Sequence, residues 1–154
     1  MAKTRVLQVA ALAVGVAALG VAVGQQALVA PGPNKVAFPE NWSKGVMYAT
    51  VDRPDTKQYR EFYTSAEAVA AAKAGRPIPD GTVITLAAYA AQADAAGTPL
   101  KDASGRFMKG NLLAVNVMQK KAGWGADIPE AVRNGDWVYQ SFTPDGKAND
   151  KANL

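Results

Sequence analysis

Short runs of alternating apolar residues, each closed by turn-forming residues, fill the sequence from residue 44 onward and limit its fold more than any other feature. Residues 44–51 (KGVMYATV) place Val46, Tyr48 and Thr50 on one side of a strand and Met47, Ala49 and Val51 on the other. Residues 58–63 (QYREFY), 82–90 (TVITLAAYA), 112–119 (LLAVNVMQ) and 137–142 (WVYQSF) read as four further strands. Turns separate them at Asp52-Arg53-Pro54-Asp55, Pro77-Ile78-Pro79-Asp80-Gly81 and Thr143-Pro144-Asp145-Gly146, where proline presets the backbone and glycine supplies positive φ. Residues 94–106 form a polar loop with two turns, at Ala96-Gly97 and Ser104-Gly105. One firm helix is predicted over 65–74, opened by a capping box at Thr64-x-x-Glu67 and closed by Gly75. A helical turn over 128–133 has Pro129 at its first position. Five strands with one helix between them predict an α+β domain, mainly antiparallel β-sheet with flanking helices, the 65–74 helix separating two strand groups and lying across the sheet.

The N-terminus is of another kind. Lys3 and Arg5 precede an apolar run over residues 6–24, in which Gln8 is the only strongly polar side chain. A positive leader before such a run is the pattern of both a cleavable signal and a signal anchor. The run is longer than a typical signal core of about 7–15 residues and near the roughly 20 that span a bilayer. Ala22-Val23-Gly24 offers small residues for signal peptidase, while Gly20-x-x-x-Gly24 would let a neighbouring membrane helix contact Gly20 and Gly24 closely. Both alternatives export the rest of the chain, with Lys3 and Arg5 on the cytoplasmic side. Residues 25–37, with Pro31-Gly32-Pro33-Asn34, read as a linker, and 38–154 as the domain. The partners expected are the membrane, through residues 1–24, and a membrane protein complex. Nucleic acid is not among them: without Lys3 and Arg5, 15 basic residues face 13 acidic ones and no basic stripe survives.

The sequence contains no cysteine and no histidine. Disulfides, thiolate nucleophiles, serine–histidine pairs and ordinary zinc sites are thereby excluded from these 154 residues. Gly123-Trp124-Gly125 lacks the spacing of a phosphate loop and reads as a tight turn beside a packing tryptophan. Lys120-Lys121 reads as a solvated pair at a strand end, and Asp52 and Asp55 as turn-formers around Pro54. Arg60 and Glu61 are adjacent in a strand and point to opposite faces, so they form no simple pair. The aromatic residues recur at strand positions as core, with a flat ligand pocket as the alternative. No catalytic residue, no metal ligand and no self-sufficient active site is expected.

In order, Phe38-Pro39-Glu40-Asn41-Trp42, Tyr48-Ala49-Thr50-Val51-Asp52-Arg53, the segment 57–63, Arg76–Leu86 with its Pro-Asp-Gly, Val117-Met118-Gln119-Lys120 followed by Gly123-Trp124-Gly125, Trp137-Val138-Tyr139 and the tail 149–154 resemble the cytochrome P-460 family of exported bacterial haem proteins. The resemblance implies an antiparallel sheet with flanking helices and a c-type haem. Members with a lysine cross-linked to the haem oxidise hydroxylamine, whereas relatives with an apolar distal pocket bind nitric oxide. The resemblance assigns the cross-linking role to neither Lys57 nor Lys73. In the relatives a tail like this one leads directly into Cys-x-x-Cys-His, which holds the haem; here the sequence ends at Leu154 first. The expectation is an exported, membrane-anchored domain on the periplasmic side of the bacterial inner membrane, without a cofactor of its own, acting as accessory or structural subunit of an electron-transfer complex. The alternative is a shortened c-type haem protein, with haem c attached through the missing segment.

Overall fold

The structure, a computed structural model, describes residues 35–152. The apolar run over 6–24, with Gly20 and Gly24, lies outside the described residues, as does the linker up to Asn34. Among the described residues no helix is long and apolar enough to cross a membrane.

Five strands form one sheet in the order β1-β2-β3-β4-β5: β1 (Val46–Arg53), β2 (Gln58–Thr64), β3 (Val83–Ala91), β4 (Lys109–Lys120) and β5 (Trp137–Phe142). Every neighbouring pair is antiparallel. The one α-helix among the described residues, α1 (Ala66–Lys73), links β2 to β3 and contacts β1. The expected antiparallel sheet and single helix are therefore present. The helix does not divide the strands into two groups, because β2 and β3 on either side of it pair directly from Gln58↔Ala90 to Tyr63↔Thr85.

Residue pairing assigns side chains to two faces. On the covered face, Thr85 and Ala87 of β3 stand opposite Val117 and Val115 of β4, which in turn face Gln140 and Phe142 of β5. Val36, Val115, Val117, Val138 and Phe142 form the buried core, with Phe38, Trp42, Val83, Leu112, Trp124 and Ile128 packed against it. Two segments from outside the sheet close this face. The N-terminal stretch brings Phe38 edge-on to Phe142, ring centroids 5.4 Å apart, and the 3-10 turn Trp124–Asp127 follows β4. Lys35 pairs with Asp127, joining the two closing segments. Full burial of one such aromatic or aliphatic side chain contributes about 1.5–3 kcal/mol.

Two glycines are required by this closure. A Cβ on Gly146 would stand 3.0 Å from Phe38 Cδ1, and its φ is +82°. A Cβ on Gly125 would fall 1.9 Å from the Gly135 carbonyl oxygen. Gly123-Trp124-Gly125 is accordingly the tight turn with a packing tryptophan that its sequence suggests, with Gly123 at φ +82°.

Local details depart from the sequence reading in four places. A register shift between Met47 and Ala49 puts Ala49 opposite Phe62 and Thr50 opposite Glu61. Ala49 and Val51 therefore share a face with Val46, and Thr50 shares one with Met47, because the bulge at Tyr48 interrupts strict alternation. The helix cap is Ser65, whose hydroxyl accepts from Ala68 N–H at 3.1 Å; Thr64 instead ends β2 and donates to the Val83 carbonyl at 2.8 Å. β4 begins at Lys109, since residues 109–111 join the sheet through their backbone without apolar alternation. The polar loop is two successive small hairpins, bridged at Ala93↔Pro99 and Lys101↔Phe107. Each turns on an aspartate: Asp94 Oδ1 accepts from Ala96 and Thr98 N–H, and Asp102 Oδ1 from Ser104 and Arg106 N–H.

Candidate ligand-binding face

Among the described residues, the opposite face of the sheet has no comparable cover. Phe62 of β2, Ile84 and Leu86 of β3, Ala114 and Met118 of β4 and Tyr139 of β5 line a cleft of about 580 Å³ across it. Their position follows from the period of two, since Phe62 pairs with Leu86 and Met118 with both Ile84 and Tyr139. Tyr48 joins them from the β1 bulge, its ring 6.1 Å from that of Phe62. The volume lies within the range of small-ligand sites, about 300–1,000 Å³. Tyr48 and Val51 remain 45% and 39% exposed, so apolar surface is left facing water along this side.

Charge is placed at one end of the cleft. Arg53 and Arg60 line it, and among the described residues no carboxylate or lysine does. Arg53 is engaged by Asp55 through two hydrogen bonds of 2.9 and 2.6 Å. Among the described residues the hydrogen-bonding partner of Arg60 is neutral: it donates twice to Gln58 Oε1 at 2.9 and 2.8 Å. Burial, followed by the nearby charge of Arg53, lowers the Arg60 pKa, yet a guanidinium keeps its proton. An apolar floor with a guanidinium held by a neutral amide suits a flat apolar ligand bearing an anionic group.

The donor set decides which attachment the residues support. No thiol or imidazole exists in the sequence, so residues 1–154 supply neither thioether bonds nor a histidine ligand and do not fit a covalently held c-type haem. Besides Arg53 and Arg60, the lining residues with side-chain heteroatoms are Tyr48, Asn116, Met118, Tyr139, Ser141 and Asn149. Burial raises the Tyr48 pKa, which keeps its phenol neutral. Lys57 donates to the Gly97 carbonyl at 2.9 Å, and Lys73 sits in the last turn of α1; neither lines this cleft. At the β5 side Asn149 and Ala152 line it, so the C-terminal tail runs along its rim.

A polar corner of the covered face escaped the sequence reading. Glu61 is 4% exposed; its Oε2 accepts from the Tyr63 hydroxyl and its Oε1 from Lys109 Nζ, both at 2.8 Å. The Tyr89 hydroxyl approaches the same carboxylate. Burial works to raise the Glu61 pKa, but the hydrogen bonds from Lys109 and Tyr63 outweigh it, and the carboxyl stays below its ordinary value. Beside it, Asp52 accepts from Arg106 Nε and Nη2 at 2.9 and 3.1 Å and from Phe107 N–H at 3.2 Å. The Arg106 hydrogen bond is the main reason its pKa is lowered. Asp52 is thus a partner of the second small hairpin, in addition to its place at the end of β1. The only advance signal was the spacing Glu61-x-Tyr63, which puts the two side chains on one face of a strand.

Other expected features are structural. Asp80 Oδ1 accepts from Ala122 N–H at 2.6 Å and Gly81 N–H donates to the Lys120 carbonyl at 2.8 Å, so Pro-Asp-Gly fastens the start of β3 to the end of β4. Lys120 and Lys121 are not simply solvated: Lys120 Nζ donates to the Ile78 carbonyl at 2.7 Å, and Lys121 Nζ lies 5.3 Å from the centre of the Trp124 ring. Among the described residues no group of three or more acidic or otherwise metal-ligating side chains is placed to hold a metal ion.

A family model described as cytochrome P-460 matches residues 39–154. No curated protein matches the chain.

Proposed function

Because the chain belongs to the cytochrome P-460 family, we propose that the open face of its sheet is the ligand-bearing face, kept here without covalent haem. In this reading the domain is an accessory subunit of a membrane electron-transfer complex and presents that face to its partner. It is held on the periplasmic side of the inner membrane by residues 6–24, with Gly20 and Gly24 against a neighbouring helix. The observation that carries the reading is the pairing of an apolar, arginine-edged cleft with a sequence that has neither cysteine nor histidine.

Purified full chain tests it by intact mass and by the pyridine haemochrome spectrum. The expected result is a colourless protein with no haem increment; a covalent increment or a Soret band resistant to extraction overturns it. Membrane fractionation tests the anchor, and a mass beginning at Gln25 would replace it with a cleaved signal. Haemin, a flat apolar ring with carboxylates, probes the cleft directly: Arg60→Gln should weaken its binding about tenfold, through loss of a charge-assisted contact.

One observation favours a second reading, a c-type haem carried on the same face. Asn149 and Ala152 already line the cleft, so a Cys-x-x-Cys-His segment after Leu154 would lie at its edge. The haem would supply iron for ligand binding and electron transfer. Phe62, Ile84 and Leu86 would exclude water from its surface, and Arg60 would hold its anionic edge. Appending Cys-x-x-Cys-His to the full chain in a host that matures c-type cytochromes tests this. Stable haem incorporation supports it, and failure to incorporate haem in a soluble, folded product counts against it.

A further inference from the structure

We infer that a cleft between the N-terminal segment and the turn before β3 binds a linear polyamine, a chain of methylenes carrying two or more ammonium groups. The inference is independent of what occupies the open face. Tyr63 and Thr85 stand opposite each other on β2 and β3. They belong to the covered side, since Phe62, Ile84 and Leu86 next to them line the open one. With Trp42 they border a cavity of about 690 Å³, a size suited to a small ligand.

The base of this cavity lacks a partner. Thr85 is 2% exposed and Thr82 6%, and among the described residues neither hydroxyl makes a hydrogen bond. Thr64 beside them, by contrast, donates to the Val83 carbonyl at 2.8 Å. Neither threonine oxygen is sealed from solvent, Gln140 Oε1 being the one unpaired side-chain atom so enclosed among the described residues. Buried polar groups in native proteins find partners in protein, water or ligand, and a hydroxyl oxygen accepts readily from an ammonium group.

The walls fix the sign of the ligand. Glu40, Glu67 and Asp80 line the cavity, and among the described residues no lysine or arginine does. Glu40 and Glu67 take part in no ion pair with the described residues. The three carboxylates come from separate segments: the N-terminal stretch, the first turn of α1 and the turn before β3. They do not converge into a group placed to hold a metal ion. Carboxylates set apart, with Phe38, Trp42 and Val83 between them, match a ligand whose own charges are spaced along an apolar chain.

The rings supply the remaining contact. Trp42 lies edge-on to Tyr63, centroids 5.1 Å apart. The rings of Tyr59, Tyr89 and Trp124 each have a cation of the protein over them; among the described residues Trp42 and Tyr63 have none. The Tyr63 hydroxyl donates to Glu61 Oε2 at 2.8 Å, which enriches its ring in electron density and favours a cation against it.

Isothermal titration calorimetry of the purified full chain with spermidine tests the inference, with magnesium chloride at equal ionic strength as the comparison. Spermidine should saturate one site, and magnesium should not. Trp42→Leu should weaken spermidine binding about tenfold. Thr85→Val, which keeps the shape of the side chain, should weaken it about fivefold through the lost acceptor. Glu67→Gln should weaken it about threefold and reduce its dependence on salt. The inference is overturned if spermidine fails to saturate, if magnesium binds as tightly, or if a folded Thr85→Val or Glu67→Gln protein binds spermidine like the wild type. Glu67 is exposed on α1, so its variant decides the matter should the other two fail to fold.

Discussion

On the covered face of the sheet, Val115, Val117 and Phe142 lose almost all contact with solvent, while on the open face Tyr48 and Val51 keep more than a third of theirs. The strands carry apolar side chains toward both sides, so hydrophobicity within the strands does not distinguish the two. What differs is the material brought in from outside the sheet. Residues 36–42 and the turn at Trp124 are delivered to one side alone. The apolar surface of the other side is left for something that is not part of these strands, and exposed patches of that kind mark binding sites. Within the covered face lies a second contrast, between the valine and phenylalanine core and the hydrogen-bonded corner around Glu61.

The largest effect expected from these contrasts is at Phe142. Phe142→Ala should cost about 3–5 kcal/mol, since it removes a buried ring and strands Phe38 over the cavity; urea unfolding followed by tryptophan fluorescence measures it. A loss of under about 1 kcal/mol would show that the covered face is not the core. Next in size is the pH dependence of the polar corner. Glu61 and Asp52 have lowered pKa values, so the stability they contribute is present above the ordinary carboxylate range, about 4 in the unfolded chain. It is lost as pH falls through their folded values. Tyr89 is pushed up to about 12 by burial and by Glu61; its contribution is present below about 10, the unfolded value, and is lost as pH rises toward the folded one. Urea midpoints should therefore decline on both sides of a neutral plateau, and Glu61→Gln should flatten the acid limb.

A smaller and opposite effect is expected at Gln140. Its amide donates to the Ser141 carbonyl at 3.0 Å, but among the described residues its buried Oε1 has no hydrogen-bond partner. Gln140→Met should stabilise the protein by about 1 kcal/mol by removing an unsatisfied acceptor from the covered face; a destabilised variant in the same urea experiment would contradict this. The smallest effect on stability belongs to the open face. Tyr48→Ser, at a side chain 45% exposed, should change the unfolding free energy by no more than about 1 kcal/mol, yet weaken haemin binding in the cleft it lines, as read by fluorescence quenching. If it unfolds the protein instead, the open face is part of the core and the distinction between faces fails.

Strand positions were legible in the sequence because alternation and turn residues agree. β5 matches its expected range of 137–142, β2 extends one residue beyond its own, and β3 is shifted by one residue at each end. Side-chain facing in β1 was not legible, because a bulge leaves no compositional mark when Tyr48, Ala49 and Thr50 all suit a strand. The open face was half visible. Its apolar residues were expected as core, and only the absence of a covering segment makes them a site. The Asp52–Arg106 pair joins positions 54 apart in sequence, and no local pattern announces a partner at that distance. The helix cap was misplaced by one residue, since Thr64 and Ser65 are both good caps and strand pairing takes the first.

The order β1-β2-β3-β4-β5 also has a kinetic meaning. Each strand pairs with the next strand in the chain, so the sheet assembles by closing its connections in succession, 4 residues between β1 and β2 and 16–18 between each later pair, with no crossover between distant strands. Phe38 and Phe142 are the exception, meeting across more than a hundred residues. That contact closes late, after the five strands are in place, and it is the seal on an already formed sheet. The reverse path opens the same way: the N-terminal segment lifts from Phe142 before the strands part, and partial unfolding exposes the covered face first.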